Sequence, residues 1–273
     1  RATLPNAGNS GQTTGNPASS TGTPLVVSSR LVQITTGPVV PGEVVVNVKA
    51  SSTTASDTIV KYVARESGNV FVYSTKTKVL TRTSNRTLPG IQTTSWLPDG
   101  SSVFVRYLSG TNFSTINTYA LPATGFGGFF LSQNLSDVSV SSTGILTLAS
   151  GVNGSSASLL HTDGTKPISL FTTPLSSLRV SFAGKNKYLA FTKPTSTLPG
   201  YAYVVDSAGG FTRISGPRTG LVALASPLGK WILISYAESG VMHMDLVNAA
   251  TGDALSLPVS TIADKCVWTA NDS

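Results

Sequence analysis

An all-β fold built from repeats of one four-stranded unit is predicted for this chain by three observations. The first is the run Ser95-Trp96-Leu97-Pro98-Asp99-Gly100-Ser101-Ser102, followed by Val103-Phe104-Val105-Arg106-Tyr107. It reads as a buried strand, a tight Pro-Asp-Gly turn, and a second strand alternating apolar and polar residues. The second observation is that imperfect copies of this run return at a period of roughly 40–50 residues. The third is that β-branched and aromatic residues dominate the strands of every copy, as half-buried pleated surfaces favour.

The copies take the chain in order. The turn after the first strand recurs as Leu97-Pro98-Asp99-Gly100, Ser141-Ser142-Thr143-Gly144, Ala183-Gly184-Lys185-Asn186 and Ser226-Pro227-Leu228-Gly229. Each supplies the Gly, Pro, Asn or Asp that a hairpin needs. The strand that follows is apolar each time: Ile59–Val63, Val103–Tyr107, Ile145–Leu148, Tyr188–Phe191 and Trp231–Ile234. Third strands follow at Val70–Tyr73, Ile116–Tyr119, Ser158–Leu160, Tyr201–Val205 and Val241–Met244. Polar turns such as Asp163-Gly164 and Thr251-Gly252-Asp253 then lead to short fourth strands, as at Val79–Thr83 and Phe211–Ile214.

Four strands per repeat of this length mark a propeller blade. The expected fold is therefore a β-propeller of four-stranded antiparallel blades, with about five complete blades and the start of a sixth. Residues 1–24 are Gly, Ser, Thr, Asn and Pro with almost no large apolar side chain, which predicts a flexible linker. The propeller domain is expected over 25–273. Its blades fall near 37–89, 90–133, 134–174, 175–218 and 219–263, with a partial unit at 264–273 and 30–35 as the closing strand. Trp268 aligns with Trp96, and Asn271-Asp272 falls on the turn. The sequence thus reads as cut at the first hairpin of a sixth unit, a fragment with unpaired edges.

Trp96-Leu97-Pro98-Asp99-Gly100 resembles the Trp-Ser-Pro-Asp-Gly element of TolB-type, WD-repeat-like bacterial β-propellers. The resemblance extends over most of residues 30–273, although Val140, Phe182 and Ala225 stand where the other copies lose the Trp. It implies a fold, not a chemistry, since propellers carry enzymes, receptors and scaffolds alike.

Composition narrows the function classes. Charged residues make up 11% of the chain and the formal charge is +7, from 19 basic and 12 acidic residues. Nucleic-acid binding wants clustered Lys and Arg. Here Arg65, Arg82, Arg106, Arg179, Lys193, Arg213 and Lys230 are spread singly, so a nucleic-acid partner is not expected. No segment reaches the ~18 consecutive apolar residues of a membrane span, and no signal peptide begins at Arg1. Low charge and abundant Ser and Thr predict an extracytoplasmic protein: secreted, periplasmic or held at the envelope by a tether upstream.

Chemistry is sparsely represented. His161 stands just before an Asp-Gly turn and His243 inside an alternating strand, both read as ordinary surface or strand residues. No Gly-x-Ser-x-Gly elbow and no Ser-x-Asp-x-Gly-x-x-Trp box occurs. The carboxylates recur at turns and form no ligand cluster, so no metal, cofactor or catalytic residue is predicted. Cys266 reads as a small buried hydrophobe, with a disulfide to a partner beyond Ser273 as the minority reading. Asn85, Asn112, Asn134 and Asn153 head sequons that a bacterial source would leave bare.

A binding surface remains. The loop Thr192–Gly200 is longer than its counterparts Glu66-Ser67-Gly68, Ser109–Asn112 and Glu238-Ser239-Gly240, and all should lie on one face. Arg65, Arg106, Tyr107, Lys193 and Tyr236, at the strand ends, would ring that face as binding residues, and Arg and aromatics are enriched in binding hot spots. The expected function is non-enzymatic recognition of a protein or peptide. The alternative is the regulatory propeller of a larger secreted hydrolase, as in the prolyl-oligopeptidase family, whose catalytic domain would lie outside this chain. Carbohydrate binding is weaker still, for want of evident aromatic platforms.

Overall fold

The computed structural model describes residues 32–49, 51, 55–88 and 90–269. Residues 34–273 form one unit and residues 1–33 another. The linker expected over 1–24 lies outside the described residues, as do Arg30 and Leu31 of the expected closing strand and residues 270–273 of the partial unit. Val32–Thr35, the described remainder of the closing stretch, is not part of a strand.

The described chain is all-β apart from two single-turn 3-10 helices. The first sheet contains β1 (Val44–Val48), β2 (Asp57–Val63), β3 (Val70–Ser74) and β4 (Leu80–Arg82), in that order. The second runs β5 (Ile91–Trp96), β6 (Ser102–Ser109), β7 (Thr115–Pro122), β8 (Phe129–Phe130). The third runs β9 (Leu135–Ser141), β10 (Gly144–Gly151), β11 (Gly154–Leu160), β12 (Ile168–Thr173). All neighbours in these sheets are antiparallel. The outermost strands are short, with three residues in β4 and two in β8, which limits edge-to-edge pairing.

The fourth sheet departs from the expectation of separate units. It has seven strands: β13 (Leu178–Phe182), β14 (Lys187–Thr192), β15 (Pro199–Asp206), β16 (Phe211–Ala225), β17 (Trp231–Glu238), β18 (Val241–Asn248) and β19 (Ala254–Leu257). The 15-residue β16 pairs with β15 through its first part and with β17 through its last. It is the outer strand of one four-stranded set and the inner strand of the next. The register shifts at Ile214, across Gly216-Pro217 and around Gly220 let one strand serve both.

Packing explains why the second strand of each set is the most apolar. Four cores lie between successive sets. Val103 and Val105 of β6 join Val63 and Val70 of the first sheet and Val40 ahead of it, whereas Phe104, between them, turns to Leu135 and Ile145 of the third. Leu146 and Leu148 of β10 pack on Leu178, Val180 and Ala190. Leu189 and Phe191 of β14 pack on Leu221, Ile232 and Ile234. A strand buried on both faces reads as a near-continuous apolar run, as Val-Phe-Val and Trp-Ile-Leu-Ile do.

Hydrogen bonds tie each set to the one before it. The Trp96 indole donates to the Gly42 carbonyl at 3.0 Å, beside the start of β1. The Trp268 indole donates to the Leu224 carbonyl of β16 at 3.3 Å. The two tryptophans aligned in sequence thus make the same kind of bond to a preceding inner segment. Lys61 donates to the Gly100 carbonyl at 2.9 Å. Where Gly184 meets Gly229 there is no room for side chains: a Cβ on Gly229, whose φ is +72°, would lie 2.0 Å from the Ala183 carbonyl oxygen.

Candidate functional site

The second and third strands of each set are joined at the same end of the sheets, by Ala64–Asn69, Gly110–Ser114, Val152-Asn153, Lys193–Leu198 and Ser239-Gly240. The connections into the next inner strand reach that end too. The Arg65 amide donates to the Pro38 carbonyl at 2.9 Å, and the Lys193 amide to Ser177 at 2.8 Å. The five residues picked from the sequence all belong to this loop end, Arg65 and Lys193 in the connections, Arg106 and Tyr107 on β6 and Tyr236 on β17, and they divide into two groups.

Arg65 and Lys193 are exposed. The other three are held inside. Arg106, on β6, donates through Nη2 to the Leu135 carbonyl and sits 4.0 Å from Asp137 of β9. Asp137 in turn accepts from the Val180 amide of β13 at 2.8 Å. This chain of contacts joins three sheets. Burial pushes the Arg106 guanidinium below its usual range, and the Asp137 carboxylate opposes the shift. The Nε of Arg106 and the Oγ of Thr118, directly opposite on β7, are both buried without a hydrogen-bond partner. Tyr107 is half-buried and packs against the core between the first two sheets. Tyr236 is buried beneath Arg218, whose guanidinium lies 4.2 Å from the ring centre, with His243 stacked at 5.5 Å. Burial raises the Tyr236 hydroxyl pKa, and Asp245 adds to the rise against the pull of Arg218.

Sequence reasoning missed what the loops display. Phe113 is 71% exposed, Leu198 67% and Val241 52%, and Val152 is fully exposed. Each sits in or beside the connection between the second and third strands of its set, in four consecutive sets. Phe113 also has φ +54°, after Asn112 at +59°. A bulky side chain in the left-handed region is strained, and here no packing on the fold offsets it. The signal in the sequence was an apolar residue in an otherwise polar turn: Gly-Thr-Asn-Phe-Ser, Gly-Val-Asn-Gly, Thr-Leu-Pro-Gly. Around Val152 the end of the third sheet forms an open hollow of about 730 Å³ bordered by Ser150, Asn153, Ser155, Thr173 and Pro174.

The remaining candidates for chemistry are ordinary. His161 is exposed and its backbone closes the turn to Thr165. Cys266 is a half-buried free thiol. Among the described residues no three His, Cys, Asp or Glu side chains come together as metal ligands, and no helix is long and apolar enough to cross a membrane.

No protein-family profile matches the chain, and no curated protein matches it in sequence. Solved structures do match in fold. The TolB protein of Acinetobacter baumannii aligns at TM-score 0.53 and 13% identity, over 75% of this chain and 53% of that one. Dipeptidyl peptidase 4 of Porphyromonas gingivalis aligns at TM-score 0.52 and 12% identity, over 82% and 34%. An oligogalacturonate lyase in complex with manganese aligns at TM-score 0.55 and 9% identity, over 81% and 73%. The chain spans about a third of the peptidase and half of that TolB protein. At these identities the likeness is one of fold: four-stranded antiparallel sheets of the β-propeller type, found in enzymes as well as in TolB.

Proposed function

We propose that this chain is a non-enzymatic, extracytoplasmic propeller module that recognises a protein or peptide through its loop end. Its architecture would be five blades, the fourth and fifth sharing β16, with Cys266–Trp268 opening a sixth. The observation that carries the reading is the exposed apolar residue in or beside the connection at this end of four consecutive sets, with Phe113 held there in a strained backbone conformation. Arg65 and Lys193 supply the charged rim of this surface, whereas Arg106, Tyr107 and Tyr236 hold the strand ends that carry it. An apolar centre with a polar surround is the anatomy of a protein interface.

The test places a photoactivatable amino acid at Val152 and, as control, at Leu228 on the opposite turns, in the native host. A defined protein adduct from position 152, absent from position 228 and lost on Phe113→Ser, is the expected result. Equal adducts from both ends, or none from 152, would overturn the reading. A second reading draws on the peptidase match: the chain covers 82% of itself on about a third of a dipeptidyl peptidase. In that case the loop end would face a hydrolase domain, and the adduct at position 152 would be intramolecular.

A further inference from the structure

Away from the loop end, the outer rim between the first two sheets has a chemistry of its own. The link from β4 to β5 crosses the side of the second sheet and leaves a hollow of about 310 Å³ lined by Thr83, Asn85, Arg86, Thr124, Gly125 and Phe126. Phe126 is 82% exposed at its lip. The Arg86 guanidinium lies 4.6 Å from the centre of the Tyr119 ring and donates to its hydroxyl, which donates onward to the Gly127 carbonyl at 2.6 Å. Phe130, largely exposed on the outermost strand β8, packs against the same ring at 4.7 Å. Tyr119 therefore holds a guanidinium and an exposed aromatic ring in place at once.

Charge selects the occupant. No Asp or Glu occurs between Ser67 and Pro98 or between Gly100 and Ser136, while Arg82, next to Thr83 of the lining, and Arg86 are exposed. Asp99, the acid between those stretches, is taken up by Ser101. Among the described residues Arg86 has no carboxylate partner. A guanidinium fixed on an aromatic face keeps its remaining N–H groups free to grip a carboxylate in the two-pronged geometry lysine cannot offer.

We propose that this rim hollow is a second docking site, which takes an extended, acidic segment of a partner protein. An Asp or Glu of that segment pairs with Arg86, and an adjacent aromatic or aliphatic side chain rests on Phe126 and Phe130. The site lies apart from the loop end and stands or falls independently of it.

The test pans a display library of random twelve-residue peptides against the full chain. Enriched peptides should carry Asp or Glu within three residues of Phe, Trp or Leu. The best of them, as a synthetic peptide, should lose at least tenfold in affinity on Arg86→Lys and on Phe126→Ser. Phe113→Ser should leave its affinity unchanged. Phe126 is so exposed that Phe126→Ser should not move the melting temperature, which keeps the test clear of misfolding. Enrichment of peptides without acidic residues, equal binding to both rim variants, or no enrichment would each overturn the proposal. So would heparin retention that the same substitutions abolish in the absence of any selected peptide, because the rim would then be a site for polyanions.

Discussion

Replacing Asp137 by Ala should destabilise the fold by about 4 kcal/mol, the sum of about 2 kcal/mol for the broken ion pair and about 2 kcal/mol for an orphaned amide. Unit charges 4.0 Å apart attract by about 4 kcal/mol at an effective dielectric of 20, before desolvation is subtracted. Removing one partner of a fully buried pair costs about 3–5 kcal/mol. Here the two side chains are 19% and 18% exposed and Arg106 keeps the Leu135 carbonyl, which brings that cost down to about 2 kcal/mol. The Val180 amide, left without its acceptor, adds about 1–3 kcal/mol. Asp137→Asn keeps an oxygen for that amide but trades the other for an NH2 group facing Arg106 and the Val138 amide, so it should cost less than Asp137→Ala by the acceptor kept for Val180, about 2 kcal/mol. Urea unfolding at neutral pH, followed by tryptophan fluorescence, gives both values. A loss under about 1 kcal/mol for Asp137→Ala, or equal losses for the two variants, would refute the three-sheet clamp. The same assay decides the role of Arg106. As a surface contact, its removal would weaken capture of a partner and spare stability; as a clamp, Arg106→Ala lowers the urea midpoint.

Three further outcomes follow from the packing and the turns. Phe104→Ala should cost about 3–5 kcal/mol in the same assay, because the ring is fully buried between the second and third sheets. Gly229→Ala should cost clearly more than Gly252→Ala: both have positive φ, worth about 1–2 kcal/mol to a non-glycine residue, but only Gly229 would also drive a Cβ into the Ala183 carbonyl. Acid should destabilise the protein through its turn aspartates. Hydrogen bonds from Ser101 hold Asp99 below the usual carboxylate range, as those from Thr165 do for Asp163. Their folded-state pKa values are depressed, so on acidification the unfolded state takes up protons first, and the stability is present at neutral pH and lost as pH falls between about 5 and 2. Asp99→Asn with Asp163→Asn should flatten the fall of the urea midpoint between pH 6 and pH 3; an unchanged slope would show that these turns play no part.

Much of the strand pattern was legible because burial on two faces leaves a strong trace. Val103–Tyr107, Tyr188–Phe191 and Trp231–Ile234 lie within β6, β14 and β17, and the turns at Pro98-Asp99-Gly100 and Pro227-Leu228-Gly229 stand between strands as read. The bond from Trp268 to Leu224 accounts for its alignment with Trp96 in physical terms. What did not show was the continuity of β16. The unit boundary expected between residues 218 and 219 falls inside this strand, among Gly216, Pro217 and Gly220, since turn residues look the same whether the chain reverses or a single strand bends and changes partners.

The site was less legible than the fold, and the reason is geometric. A strand-end arginine can point to solvent or back between the sheets, and the sequence period is the same for both. Arg65 lies in the connection after β2 and is exposed, whereas Arg106, within β6, has a carbonyl and a carboxylate from the next sheet within reach. Whether that partner exists depends on residue 137, some 30 positions downstream and invisible to any local pattern. The exposed loop residues pose the opposite problem. Phe113 and Val152 look like strand residues by type, and it is their flanking glycines and asparagines that keep them out of the sheets. An apolar side chain that local chemistry forces into a turn cannot serve the core of its own fold, so Phe113, Val152 and Leu198, with Val241 at the start of β18, are the side chains that the proposed partner would cover.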